Sequence, residues 1–394
     1  MKMYAAVMTC LLAGFPAAAP CAAVEPEVVK DFPVCESAVR SSEGDFVRLK
    51  DGRIMFAYSR YDEHVKDRGM GDHDPADIVA CFSDDEGKTW GGSEILVRRP
   101  ANAWNVMSVD LERLADGRLA LFYCMKRFRG DCRPYVSFSS DEGRAWTEGK
   151  CLFPDDRQGY YAFLNQSVCQ TSRGRLVVPF YGNGRMQCLL SDDMGATWRY
   201  SEAFRAFDTR MKHVALDESK VMELANGSLV MFSRSYVDWQ YWTYSLDGGE
   251  TWGPSVPSGI VSPGSPLAII RLKNGDWLMA WNDLRGNPGK FSGGGSCHGS
   301  RTPMTVAVSK DEGRTWIHRR VLEGDTHPWG YWYCYPAMME TDDGNVLIHY
   351  CYIGRRKKGC LCESHIVRVP LSWIYAAPVW DRTYGTKGIL DRLQ

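Results

Sequence analysis

The chain has 394 residues, of which 44% are hydrophobic and 24% charged, and a formal net charge of −1. That balance is of a globular protein with an ample core, and it gives no electrostatic reason to expect nucleic acid or an anionic membrane surface as a partner. Fourteen Trp and nineteen Tyr supply the flat side chains that a sugar-binding sheet protein uses.

The N-terminus reads as an export signal. Lys2 provides the positive end, Tyr4 to Phe15 an apolar run too short to span a membrane, and Pro16 to Ala23 a small-residue region with cleavage expected after Ala23. The expectation is a segment 1–23 that is removed and a secreted or periplasmic protein. Pro20 before Cys21 fits a lipoprotein site badly. Twelve cysteines remain after Cys10 and Cys21 are lost, with Cys124 and Cys132, and Cys360 and Cys362, the pairs nearest in sequence. Export makes disulfides possible. Without C-x-x-C pairs or His clusters, neither a metal nor another cofactor is expected.

Two short patterns then recur along the chain. The first is a pair of strand-like segments meeting at a tight turn: Asp51-Gly52, Asp116-Gly117, Arg173-Gly174, Asn226-Gly227, Asn274-Gly275 and Asp343-Gly344. The second, S-x-D-x-G-x-T-W, follows the first five turns, starting at Ser83, Ser139, Ser191, Ser245 and Ser309, with Ala145 the one departure at the Thr position. Its spacings of 56, 52, 54 and 64 residues describe a copied unit, and a unit of that length means a propeller, solenoid or array. In such a hairpin Asp and Ser satisfy turn amides, Gly takes a left-handed position and Trp packs between units. Five copies of an Asp argue for a structural role. A catalytic group is needed once.

Six units of four strands predict an all-β, six-bladed β-propeller with five Asp-box hairpins, one domain over 24–394, closed by a strand from the Val28 to Pro33 region. The sixth unit runs through Cys351, the basic turn Arg355 to Lys358 and a strand from His365 to Val369. In this geometry the start of each innermost strand lies at the axis. Counting nine residues back from the Gly of each first turn gives one ring: Glu43, Ser108, Asn165, Glu218, Pro266 and Tyr335. Long second loops on the same face occur at Arg60 to Asp77 and Asp283 to Arg301, which places the site under the first, fourth, fifth and sixth blades.

Over nearly the whole mature length, these motifs resemble the sialidase (neuraminidase) superfamily, and in particular exported bacterial sialidase-like proteins with BNR-type repeats. The resemblance implies an exo-glycosidase that removes terminal sialic acid or a related acidic sugar from glycoconjugates. It implies Tyr335, in CYPAMMETDDGNVL, as nucleophile, Glu218, in LDESKVMELANGSL, as its base, and Asp72, in GDHDPADIVACFS, as acid/base, with Asp74 and Asp77 close by. Arg234 and Arg301 resemble two of the family's three carboxylate-binding arginines. Arg60 and Asn165 join them as substrate-binding candidates, and the expected partner is a glycan met by a monomer. A sialoside reacts at a carbon that carries a carboxylate, so a phenol is a better nucleophile than an anion, and sialidases depart from two-carboxylate glycosidases for that reason. Each arginine bond to that carboxylate contributes about 1.5–3 kcal/mol.

The ring count also puts Glu43 where the family has its first arginine, with Arg40 or Arg60 the side chains that would reach inward instead. Two like charges at ~4 Å cost about 4 kcal/mol at an effective dielectric near 20. Either Glu43 is paired and turned away, or the sugar is not ordinary sialic acid. The alternatives are therefore a glycosidase or polysaccharide lyase acting on another sugar, and a glycan-binding propeller without turnover. Trp239, Trp242, Trp329 and Trp332 are candidates for stacking on a sugar, and His213 and His298 for its rim.

Overall fold

The computed structural model describes residues 24–33, 38–65, 71–155, 157–286, 301–324, 332–353 and 363–377. The expected export segment 1–23, His298, Trp329, the expected basic turn Arg355 to Lys358, Cys360 and Cys362 lie outside these residues.

The described chain is an all-β propeller. One eight-stranded sheet has two four-stranded halves, Arg40–Arg48 to Gly91–Val97 and Asn105–Arg113 to Lys150–Cys151, joined only by a parallel bridge between Ala76 and Asn105. Three four-stranded sheets follow, from Cys169–Gln170 to Arg199–Tyr200, from Leu216–Glu223 to Val256–Val261, and from Ala268–Arg271 to Ile317–Glu323. The last sheet orders Trp332–Glu340, Asn345–Ile353 and Glu363–Pro370 from the inside out. The N-terminal strand Glu27–Phe32 pairs antiparallel with Glu363–Pro370 as its outer edge.

Middle strands such as Trp277–Asn282 and Met304–Ser309 are buried on both faces, because each sheet is covered by a neighbour on either side; they read as continuous apolar runs rather than alternations. The outer strand Gly91–Val97, with one covered side at most, is largely exposed. Between the fourth and fifth repeats Trp242, Trp277, Trp281 and Trp316 are all at most 1% exposed.

All five S-x-D-x-G hairpins share one bonding pattern. In the third, Ser191 Oγ donates to Asp193 Oδ1 (2.8 Å) and accepts from Gly195 N (2.9 Å), while Thr197 N donates to Asp193 Oδ1 (2.9 Å). The same Ser–Asp bond is 2.8 Å at Ser83, Ser139 and Ser309 and 2.7 Å at Ser245. The residue before each Gly is left-handed, at Glu86, Glu142, Met194, Gly248 and Glu312, and reaches the first turn of the preceding unit. Glu142 accepts from Lys50 N (2.8 Å), Met194 O from Arg118 (3.1 Å), Gly248 O from Arg175 (3.1 Å) and Glu312 from Ala225 N (2.6 Å). Glu86, in the first unit, accepts from Asp342 N of the last (2.8 Å), which completes the circle.

Two elements depart from the expectation. A short helix, Leu371–Tyr375, ends the described chain where no helix is anticipated, with Trp373 and Ile374 in the core. A two-residue ribbon pairs Ala206–Phe207 with His213–Val214 beside the third sheet. The eight described cysteines are free thiols, six of them buried. Among the described residues no helix is long and apolar enough to cross a membrane.

Ser191 is fully buried and bonds in two directions. Ser191→Ala is expected to lower unfolding free energy by about 1–3 kcal/mol, seen as a lower denaturant midpoint at an unchanged m-value.

Candidate active site

The innermost strands lose register at the axis, between Ser42 and Asp45, Met107 and Asp110, Leu216 and Ser219, and Cys334 and Ala337. Glu43 (φ 54°), Ser108 (φ 61°) and Tyr335 (φ 54°) are left-handed inside those breaks, and Gln166 (φ 51°) is left-handed next to Asn165. A bulge bends its strand and re-aims its side chains. Here the bulges turn the predicted ring positions toward one another. Ser108 Oγ donates to Glu43 Oε2 (2.9 Å), Asn165 Nδ2 bonds Gly44 O (3.0 Å) and Pro336 O (3.3 Å), and Tyr335 Oη donates to Glu218 Oε1 (3.3 Å). Beneath them Gln166 bridges Asp45 (2.6 Å) and Met338 O (2.7 Å), and Lys220 Nζ donates to Gln166 O (2.7 Å).

One side of the hollow holds Tyr335, Glu218, Arg234 and Arg301, all at most 9% exposed. Arg234 Nη1 donates to Glu218 Oε2 (2.5 Å), so Glu218 receives the phenol on one oxygen and a guanidinium on the other. Burial, and then the charge of Glu218, push the Tyr335 phenol well above its ordinary range. Arg301 lies with its Cζ 6.0 Å from the Tyr335 ring and donates to Cys334 Sγ (2.9 Å) and Gly264 O (2.8 Å). The Nε atoms of Arg40, Arg234 and Arg301 are buried without a hydrogen-bond partner.

The other side is built around Arg40, which is 5% exposed. Its guanidinium donates to Asp72 Oδ1 (2.5 Å), Glu43 Oε1 (2.9 Å) and Ser42 Oγ (3.1 Å). Burial pushes the Glu43 carboxyl up to about 7, against the pull of Arg40 and Ser108. For Asp72, whose side chain is about half exposed, burial acts upward, but the charge and hydrogen bond of Arg40, helped by Lys126 and His73, hold it down at about 2. Asp74 and Asp77 are buried and otherwise engaged. Asp74 bonds His64 (2.8 Å) and the amides of Val65 and Gly71 (both 2.9 Å), and Asp77 bonds the amide of Arg99 (2.8 Å). Of the three, Asp72 alone touches the hollow's arginine.

Two expected contacts are not made. Arg60 pairs with Asp62 (3.4 Å) on its own loop and meets neither Glu43 nor Asp72, because it sits opposite Ser41 in the adjacent strand and Arg40 takes the inward place. Asn165 is 1% exposed with its amide on two backbone carbonyls, a tie between the first and last sheets rather than a group presented to a ligand. Trp242 is core, and His213 bonds Gly184 O (3.1 Å) away from the ring. The residues not singled out in advance are Lys126, whose Nζ bonds Asp72 O (2.9 Å), and Tyr160, whose ring lies 4.9 Å from that Nζ. Lys126 pairs with Asn105 at the start of an innermost strand and Tyr160 bridges Cys132 between sheets, both outside the ring count, so no spacing marks them.

Chemically, the hollow joins a phenol hydrogen-bonded to a carboxylate, three arginines and a half-exposed Asp. Such a set can move a proton from Tyr335 to Glu218 and can hold an anionic group beside them.

A family model for the BNR repeat-like domain matches residues 68–348. The anhydrosialidase of Macrobdella decora is 26% identical over 258 residues, covering 60% of this chain and 32% of that protein. The sialidase of Micromonospora viridifaciens is 24% identical over 310 residues, covering 69% and 44%. The chain thus spans about a third to under half the length of these curated relatives. The solved structure of the leech intramolecular trans-sialidase with 2,7-anhydro-Neu5Ac superimposes with a TM-score of 0.68 at 14% identity, over 90% of this chain and 71% of that one. The repeats, the propeller and the matched span together place the chain in the BNR repeat-like family, within the sialidase superfamily.

Proposed function

We infer that the protein is a six-bladed propeller, the two halves of the eight-stranded sheet counting as separate blades, that carries five Asp-boxes over 24–394 behind an export signal, 1–23. We read it as a secreted or periplasmic exo-glycosidase acting on a terminal acidic sugar, sialic acid or a relative of it, by a tyrosine-nucleophile retaining mechanism. The observation that carries the reading is the Tyr335 Oη–Glu218 Oε1 bond (3.3 Å) with Arg234 on the second oxygen of Glu218.

In this mechanism Glu218 takes the phenol proton as Tyr335 attacks the anomeric carbon, the glycosidic bond breaks and its oxygen leaves with the proton of Asp72; water, deprotonated by Asp72, then displaces Tyr335, which regains its proton from Glu218. A phenol held neutral by burial is not repelled by the sugar carboxylate. Arg234, Arg301 and Arg40 receive that carboxylate. The Arg40–Asp72 pair gives the acid a further condition. While Arg40 holds it, Asp72 is a carboxylate and a poor proton donor. A substrate carboxylate that draws the Arg40 guanidinium to itself removes the strongest force keeping Asp72 ionised, so the acid becomes competent as the sugar arrives.

Glu43 supports a second reading of the substrate. It neutralises part of the charge of Arg40 inside the hollow, which favours an acidic sugar other than ordinary sialic acid, or a neutral one. A panel of terminal glycosides separates these, since a neutral sugar turned over faster than every acidic one would remove the acidic reading.

Tyr335→Phe and Asp72→Asn are each expected to lower kcat by about 10² or more, without change in the thermal midpoint; wild-type rates in both would defeat the assignment. Glu43 is neutral below about pH 7 and anionic above it. KM for an acidic sugar is therefore expected to climb as pH rises through 7, and Glu43→Gln to flatten that climb, read from initial rates between pH 5 and 8.5.

A further inference from the structure

The third sheet carries a cavity of about 470 Å³ beside its Gly182–Arg185 turn, a volume in the range of small-molecule sites. Arg157, Arg185 and Arg205 line it with Asn183 and Gln187, and Tyr161 and Phe180 form its floor; no Asp or Glu contributes to the lining. Arg157 stacks on Tyr200 with its Cζ 4.1 Å from the ring centroid, bonds Gln187 (3.4 Å) and pairs with Asp155 (3.7 Å), which leaves Arg185 and Arg205 as the uncompensated charges of the cavity. The strand containing Arg185 pairs with the segment containing Arg205. Met186 and Phe204 exchange backbone bonds of 3.0 and 2.9 Å, so Arg185 and Arg205 fall opposite each other across an antiparallel bridge. Like charges at facing positions are unfavourable unless an anion lies between them. Both arginines are exposed, and among the described residues no carboxylate pairs with either.

Two residues of the lining are chain neighbours of groups close to the central hollow. Tyr160 lies against Lys126, which bonds Asp72 O (2.9 Å), and burial, then the charge of Glu218, raise the Tyr181 phenol. Their chain neighbours Tyr161 and Gly182 line the cavity. Gly182 is obligatory there, because a Cβ would lie 2.2 Å from the Tyr161 ring and 2.7 Å from Tyr160 O. Asn183 donates to Tyr161 Oη (2.8 Å) and fixes the floor.

We propose that this cavity is a second saccharide-binding site, taking an acidic sugar unit whose carboxylate or sulfate lies between Arg185 and Arg205 and against Arg157. That the occupant is a sugar rests on the glycosidase reading above; that it is an anion rests on the arginines alone. The site fits an acidic residue further along the glycan whose end enters the hollow. It would set preference for acidic polymers over short glycosides.

The test titrates the full chain with three oligosaccharide series, one carrying carboxylates only (oligogalacturonate), one sulfates only (a uronate-free sulfated galactan) and one neutral, in wild type and in an Arg185→Ala/Arg205→Ala variant. Binding of an anionic series that weakens at least about tenfold in the variant, at an unchanged thermal midpoint, supports the proposal, and the series that responds identifies carboxylate or sulfate. Equal binding of the neutral series, no binding by any anionic series, or equal affinity in both proteins overturns it. In parallel, turnover of a small chromogenic glycoside is expected to be the same in both proteins. Its absence in both would defeat the glycosidase reading while leaving the titration to decide the cavity.

Discussion

The left-handed backbone at the propeller axis is the constraint from which the rest of the site follows. Glu43, Ser108 and Tyr335 each hold a conformation that costs a non-glycine residue roughly 1–3 kcal/mol, and that persists only where the surroundings over-determine it. The surroundings are the flat walls of packed sheets outside and a polar plug inside. In that plug the Gln166 amide bonds Asp45 and Met338, and Lys220 caps the Gln166 carbonyl. Straight strands would send alternate side chains into the neighbouring blades. The bulges send these to the centre instead.

Bringing charged groups to a buried centre is favourable only if each finds a counterpart, since desolvation otherwise exceeds the attraction. The hollow solves this in two different ways. Around Tyr335, one cation and one carboxylate are matched, Arg234 with Glu218, and Arg301 leans on a thiol and a carbonyl. Around Arg40, one cation serves two carboxylates of unequal exposure. The deeper one, Glu43, is driven toward its neutral form and the outer one, Asp72, toward its charged form. Two acids on one guanidinium are thereby separated in acidity.

Much of this was legible in the sequence because turns have strict chemical needs. Asx-Gly turns and S-x-D-x-G hairpins announce themselves by residue type, and once they are placed, fixed offsets carry the count to Glu43, Glu218 and Tyr335. What stayed hidden depends on which way a strand faces after a bulge. Arg40 and Arg60 lie one register step apart on paired strands, and only the break between Ser42 and Asp45 decides that the first reaches the axis. Asp72, Asp74 and Asp77 fall within six residues, and their separation into one site-facing acid and two structural ones rests on the amides of Val65 and Gly71 around Asp74 and of Arg99 on Asp77. The facing arginines of the third sheet meet through a single isolated bridge, which no periodicity signals.

The pairing of Glu27–Phe32 with Glu363–Pro370 joins segments from opposite ends of the described chain. The last blade is incomplete until the final strands exist, so during synthesis the ring stays open and its inner edge lacks the wall that carries Tyr335. Contacts so distant in sequence make folding slow. A ring latched by the strand Glu27–Phe32 cannot assemble its central hollow early, and reaches its closed shape only when nearly all of the described chain is free to fold.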